Sequence, residues 1–281
     1  MLVIAQVILS LLVAVLLFVY IFANFYLTSI VYVIITIIAV LVVLFCMLSV
    51  LTKLKFRELA IFCTLAMVIS MPLTIQGLNA YGEMFPMVYR YKIMIEVESV
   101  VGALRGESVV VVKVLRHFNM LFVPSYVRTV SGEAVFLDVG LGRNVVMTLG
   151  FGSDGRERRL ENLAEGIFQC SVSDAVAMTG KAIERRELQG KDIPMLVTFV
   201  DPANPDTGQI LRPDAFEAVF GPGYRFKGAW IAMTDLPGGQ KTIQKHLPWL
   251  HHFDAYPQNQ KNGSTRGLPF SKDLFIMEMN G

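Results

Sequence analysis

The chain of 281 residues is long enough for one or two domains. It is 54% hydrophobic and only 17% charged, with a mean hydropathy of +0.53, which excludes a protein that is water-soluble along its whole length. Three of the 25 basic and one of the 23 acidic side chains (Lys53, Lys55, Arg57, Glu58) precede position 82, leaving 22 of each for the rest. That balance lacks the positive field that draws a domain to nucleic acid, so no nucleic-acid partner is expected.

From Met1 to Thr52 there is no Lys, Arg, Asp, Glu or His. About 20 apolar residues cross a bilayer, so this run folds back once, at Ala23–Ser29. The pattern predicts transmembrane spans at about Leu2–Phe22, Ile30–Leu51 and Leu59–Leu78, the last kinked at Pro72. A cleaved leader needs a basic start and a small-residue cleavage site, and neither is present. Lys53, Lys55 and Arg57 place the second loop, and with it the amino terminus, in the cytoplasm. The expectation is a multi-pass inner-membrane protein whose partner is the lipid bilayer over residues 1–80, with residues 81–281 as an extracytoplasmic domain. The spans contain no ionisable residue, which argues for an anchor over an ion pathway.

After the third span the period changes to two. Val88–Glu98 alternates apolar with mostly charged residues, as a half-buried strand does. Gly102 and Gly106 then predict a turn, with Ser108–Leu115 as the return strand. Glu133–Val139 and Asn144–Leu149 predict a second hairpin across Gly140-Leu141-Gly142-Arg143, and a meander is the economical pairing. Arg158–Phe168 and Asp174–Leu188 read as helices, the second capped by Ser173 or Asp174 and stopped by Gly190. Met195–Val200 resumes as strand, Asp214–Phe220 is a short helix, and Tyr224–Met233 is a final strand. The fold class is therefore α+β: three N-terminal transmembrane helices followed by one mixed, β-rich soluble domain.

Candidate chemistry is sparse. Gly150-Phe151-Gly152-Ser153-Asp154-Gly155 fits GxGxxG, but Asp154 would put a negative charge where a pyrophosphate should sit, so a glycine-rich turn is expected. His246, His251, His252 and Asp254 could bind a metal, although the adjacent His251 and His252 point apart in any regular element. Cys170 could be a nucleophile, but no neighbour in sequence activates it, and packing is its expected role. Asp201 and Asp206 lie in a Pro-rich loop that does not match a calcium-binding hand. No cofactor is expected.

Several short stretches carry a resemblance: Tyr89-x-Tyr91 leading into Ile95-Glu96-Val97, Gly132–Val135 with Asp138 and Gly140, and Val197-Thr198-Phe199 with Asp201-Pro202. Phe220–Gly223, Thr234-Asp235 and Leu247–Leu250 continue it. Together they resemble an uncharacterised family of bacterial membrane-anchored proteins, which implies an anchor followed by this kind of domain and no particular activity. Its members carry one anchor, so the three spans here depart from the pattern.

The resulting expectation is a non-catalytic membrane protein presenting a protein-binding or accessory domain, with Trp230, Trp249 and Tyr256 as candidate contacts. The alternatives are a metal-dependent envelope enzyme using His246, His251, His252 and Asp254, and a subunit of a transport or secretion assembly. Topology is checked by a membrane-impermeant thiol reagent on spheroplasts. Labelling of the domain before lysis is expected, and labelling only after lysis reverses the orientation.

Overall fold

The computed structural model describes residues 74–119, 123–181, 184–238, 242–255 and 270–278. Apart from 74–78, the three predicted spans lie outside these residues, and among the described residues no helix is long and apolar enough to cross a membrane. The chain divides into two units, one combining residues up to Phe85 with Arg116–Tyr126, the other combining Pro86–Leu115 with Val127 onward.

In the first unit, helix α1 occupies residues 74–84, six residues beyond the predicted end of the third span. Asn79 explains how a polar residue is accommodated there. Its amide donates to the Phe118 carbonyl (3.3 Å) and accepts from the Phe118 N–H (2.7 Å), extending a strand's hydrogen bonding through a side chain. Gly82 faces the Arg116 carbonyl so closely that a Cβ would lie 2.2 Å from its oxygen.

The second unit is a β-rich domain of two antiparallel sheets with short helices. Strands β1 (Met87–Ser99) and β2 (Gly102–Phe118) form the first hairpin, followed by β3 (Pro124–Glu133), β4 (Val135–Gly140) and β5 (Arg143–Met147). Helices α2 (Leu160–Phe168) and α3 (Val172–Met178) precede β6 (Arg186–Leu188), β7 (Leu196–Phe199) and β8 (Gly208–Leu211). Helix α4 (Phe216–Phe220), β9 (Arg225–Met233), α5 (Ile243–His246) and β10 (Ile276–Met277) complete it. The larger sheet has the order β10-β3-β2-β1-β9-β6, the smaller β4-β5-β7-β8.

Strand β1 alternates as its sequence requires, with Tyr89, Tyr91, Ile93, Ile95 and Val97 fully buried. The turn after it is Val100-Val101, and Gly102 supplies a φ of 115° that side chains rarely adopt. Gly106, expected in that turn, instead sits within β2 opposite Ile95. A Cβ there would meet Val135 at 2.7 Å, so the missing side chain lets the two sheets approach. The predicted helix Asp174–Leu188 is also corrected. α3 ends at Met178, and Arg186–Leu188 pairs with β9 as an edge strand. Its cap is Ser171, which accepts from the Asp174 N–H while Asp174 reaches back to the Ser171 N–H, a capping box that begins two or three residues before the expected caps.

Two apolar cores result. The larger lies between β1, β2, β4, β5, β9 and helices α2 and α3. The smaller gathers Phe199, Trp249, Phe253, Phe270 and Phe275 around β7, with ring centroids 5.3–6.2 Å apart for successive partners. Glu133, buried, accepts from the Ile243 N–H (2.8 Å) and so satisfies the start of α5.

Asn144 joins β5 and β7 just beyond the end of their ladder at Val146–Val197. Only 2% exposed, its amide donates to the Phe199 carbonyl (2.7 Å) and accepts from the Phe199 N–H (2.9 Å), while its own carbonyl accepts from Thr198 Oγ1 (2.8 Å). Asn144→Leu strands two buried backbone groups and is expected to cost roughly 2–4 kcal/mol in urea denaturation. Exposed Asn162→Leu is the neutral comparison for the same chemistry at a site without such bonds.

Candidate functional site

Two surface features of the second unit stand out, and each is built by elements distant in sequence. The first is a set of apolar turns. β1 carries Val100-Val101 about 40 Å along the strand from Met87. The β4–β5 hairpin carries Leu141, and Val200 follows β7. These turns belong to one end of the domain. Gly223 lies against Val100, the Arg143 guanidinium donates to the Phe220 carbonyl and stacks 5.4 Å from the Tyr224 ring, and Asn144 holds Phe199. The exposures are 63% and 79% for Val100 and Val101, 82% for Leu141 and 76% for Val200.

Leu141 is unusual twice over. The pairing of Gly140 with Arg143 makes Leu141-Gly142 a two-residue turn, and both residues have positive φ, 57° and 71°. That is the turn for which Asn-Gly is preferred, since a left-handed backbone crowds a larger side chain. Here a leucine takes the strained position and projects into solvent.

The second feature is a pocket of about 370 Å³ beside β3, open to solvent. Val130, Leu149, Leu160, Ile276 and Met277 supply its apolar surface. Arg128, Arg158 and Lys272 lie around it with Glu161, Asp273 and Glu278, three charges of each sign. Arg158 pairs with Asp273 (3.1 Å), and Arg128 with Glu165 (3.0 Å).

Helix α2 forms one wall, and β1 holds it there. The Tyr91 hydroxyl donates to the Leu160 carbonyl (2.8 Å), and the Tyr89 hydroxyl lies 3.0 Å from the Glu161 carbonyl and 2.9 Å from Glu165 Oε1. Burial, with the adjacent Glu165 carboxylate, holds Tyr89 well above the ordinary tyrosine range; burial does the same for Tyr91. Both remain neutral donors at any physiological pH, which suits anchoring and not acid–base work.

Of the expected site residues, His246 stacks its ring on Phe136 at 4.3 Å and 8°, while the rings of His251 and His252 are 6.5 Å apart with their planes inclined by 56°. Among the described residues no group of three or more His, Cys, Asp or Glu could hold a metal ion. The side chain of Asp254 and all of Tyr256 lie outside the described residues. Trp249 is corrected as a contact residue: at 3% exposure it is the centre of the smaller core. Trp230 is half-buried on β9, with the Arg185 guanidinium 4.8 Å above its ring and the bare backbone of Gly228 beside it.

The GxGxxG segment is a closed turn, bridged between Phe151 and Glu157. A Cβ on Gly150 would meet the Gly155 carbonyl oxygen at 2.1 Å, and Gly152 and Gly155 have φ of 80° and 72°. Asp154 accepts from the Arg156 N–H, so its carboxylate serves the turn. Asp201 and Asn204 likewise accept from backbone N–H groups two residues on. The Gly140–Arg143 turn was expected from the sequence and is present; the apolar surface that the turns make together and the β3 pocket were not foreseen.

Comparison with protein-family models, with curated proteins and with solved structures finds no match to this chain.

Cys170 packs half-buried against the larger core. Burial pushes its thiol up, Asp174 and Glu165 push it further, and Arg186 opposes them. A raised value means less thiolate near neutrality, so iodoacetamide alkylation is expected to be slower than for free cysteine and to rise only above the ordinary thiol range. In a Cys46→Ala, Cys63→Ala background, Asp174→Asn is expected to move that midpoint down. For topology labelling, exposed Ser153→Cys is therefore the better reporter.

Proposed function

We propose that this chain is a membrane-tethered binding protein whose β-rich domain, on the outer side of the cytoplasmic membrane, docks a partner protein through its apolar turns. Leu141 carries the reading. A leucine at that φ costs on the order of 1 kcal/mol against asparagine, and its exposed apolar surface gains nothing within the domain. A position that is poor for local stability and poor for solubility is suited to contact outside the domain. Val100, Val101 and Val200 extend the same apolar end.

The tether is supported by the uncharged run from Met1 to Thr52, and the outer placement by the basic loop at Lys53–Arg57. The balanced charge of the remainder favours a protein contact over a polyanion.

Leu141→Asn separates stability from binding. The variant is expected to gain roughly 0.5–1 kcal/mol in urea denaturation, because the turn loses its strain. A photo-crosslinking residue at position 101, in the full chain in its native membrane, is expected to give a discrete protein adduct that Leu141→Asn abolishes. Adducts no different from those at exposed position 181 overturn the reading.

A further inference from the structure

In the first unit, two contacts fix the end of β2 against helix α1. Gly82 lies against the Arg116 carbonyl, and Asn79 holds both backbone groups of Phe118. Strand numbers rise as helix numbers fall, so this end of β2 runs antiparallel to α1 and heads toward Leu78. There the third span, read from the sequence, ends. A strand advances about 3.3 Å per residue and a helix about 1.5 Å, so Asn119 reaches roughly the level of Gly77.

The strand turns back at that level. Asn119 donates its N–H to the Val123 carbonyl (3.3 Å), and its Oδ1 accepts from the Val123 N–H (3.0 Å). The Ser125 hydroxyl donates to the His117 carbonyl (3.4 Å) in the same register, which sets Tyr126 opposite Arg116. The Arg116 guanidinium accordingly lies 5.8 Å from the centre of the Tyr126 ring.

The side chains are graded along this axis. Val123 and Tyr126 are exposed, as are Met84 and Phe85 at the far end of α1. Six of the eleven residues 116–126 are Phe, Met, Leu, Val or Tyr, and none is Asp or Glu. The Arg116–Tyr126 pair stands level with Gly82, four helical residues or about 6 Å beyond Leu78, which is about the depth of one headgroup layer. Tyrosine and arginine suit that layer, because each joins an apolar body to a polar tip.

We propose that the closed end of the β2–β3 hairpin is a second membrane contact beside the third span, with Val123 at the acyl boundary and Arg116 and Tyr126 among lipid headgroups. Lipid is the occupant because α1 continues the span and carries the hairpin end back to the level at which that span ends. The proposal rests on the tether reading and adds that the hairpin also holds this unit to the membrane.

The test uses the full chain with Cys46→Ala, Cys63→Ala and Cys170→Ala, and with Val123→Cys as its single bimane-labelled thiol. It is reconstituted in phosphatidylcholine–phosphatidylglycerol vesicles with and without lipid brominated on the acyl chain near the headgroup. Quenching at position 123 is expected to exceed that at exposed Ser153→Cys in the same background by at least about threefold. A chain keeping only Cys63, in the third span, reports the tether itself. Quenching at Cys63 with no more at 123 than at 153 overturns this proposal alone. Blue-shifted emission at 123 that brominated lipid leaves unquenched also overturns it, since protein then covers the hairpin. Absence of quenching at Cys63 overturns the tether, and the proposal falls with it.

Discussion

The burial of two tyrosines on β1 is the constraint from which much of the second unit follows. Tyr89 and Tyr91 carry large apolar rings into the main core, but each also brings a hydroxyl that needs an acceptor. An unsatisfied hydroxyl there would cost about 1–3 kcal/mol. The first turn of α2 supplies the acceptors, through the carbonyls of Leu160 and Glu161, and Glu165 adds a carboxylate one turn on. Glu165 in turn holds Arg128 of β3. One strand therefore sets the position of a helix, and that helix ties a second strand and forms a wall of the pocket.

The smaller sheet is coupled to the larger by shape, and its own strands are joined by a side chain that imitates backbone. Gly106 removes a Cβ so that Val135 can pack closely, and Asn144 continues a ladder with its amide. Asn79 does the same in the first unit, against Phe118. In each case a polar side chain is wholly or partly buried at little cost because both its donor and its acceptor are used, and the backbone groups at a strand end are satisfied as well.

The two surface features differ in kind. The apolar turns are irregular backbone held by contacts behind them, and their recognition would depend on shape and apolar area. The pocket beside β3 is walled by regular elements, and its apolar lining is ringed by charges of both signs. Neither requires a titrating group. That is in keeping with tyrosines and a cysteine whose surroundings all favour the neutral form.

The sequence by itself determined the elements whose signal is local. β1, the β4–β5 hairpin, α2, β7 and β9 were legible because alternation, helical spacing and Gly-x-Gly turns act within a few residues. What required the tertiary structure were relations across long separations: β9 beside β1, the edge strands β6 and β10, and β3, whose polar residues show little alternation. Gly106 looked like a turn because a glycine needed for close packing and one needed for positive φ are the same letter. Trp249 looked like a contact residue because an aromatic at a core centre and one at a surface are also the same letter. The candidate histidines are near in sequence, but that the ring of His246 stacks on Phe136 is set by packing and not by spacing. The pocket could not be read at all, since its walls meet only when β1 has placed α2 beside β3.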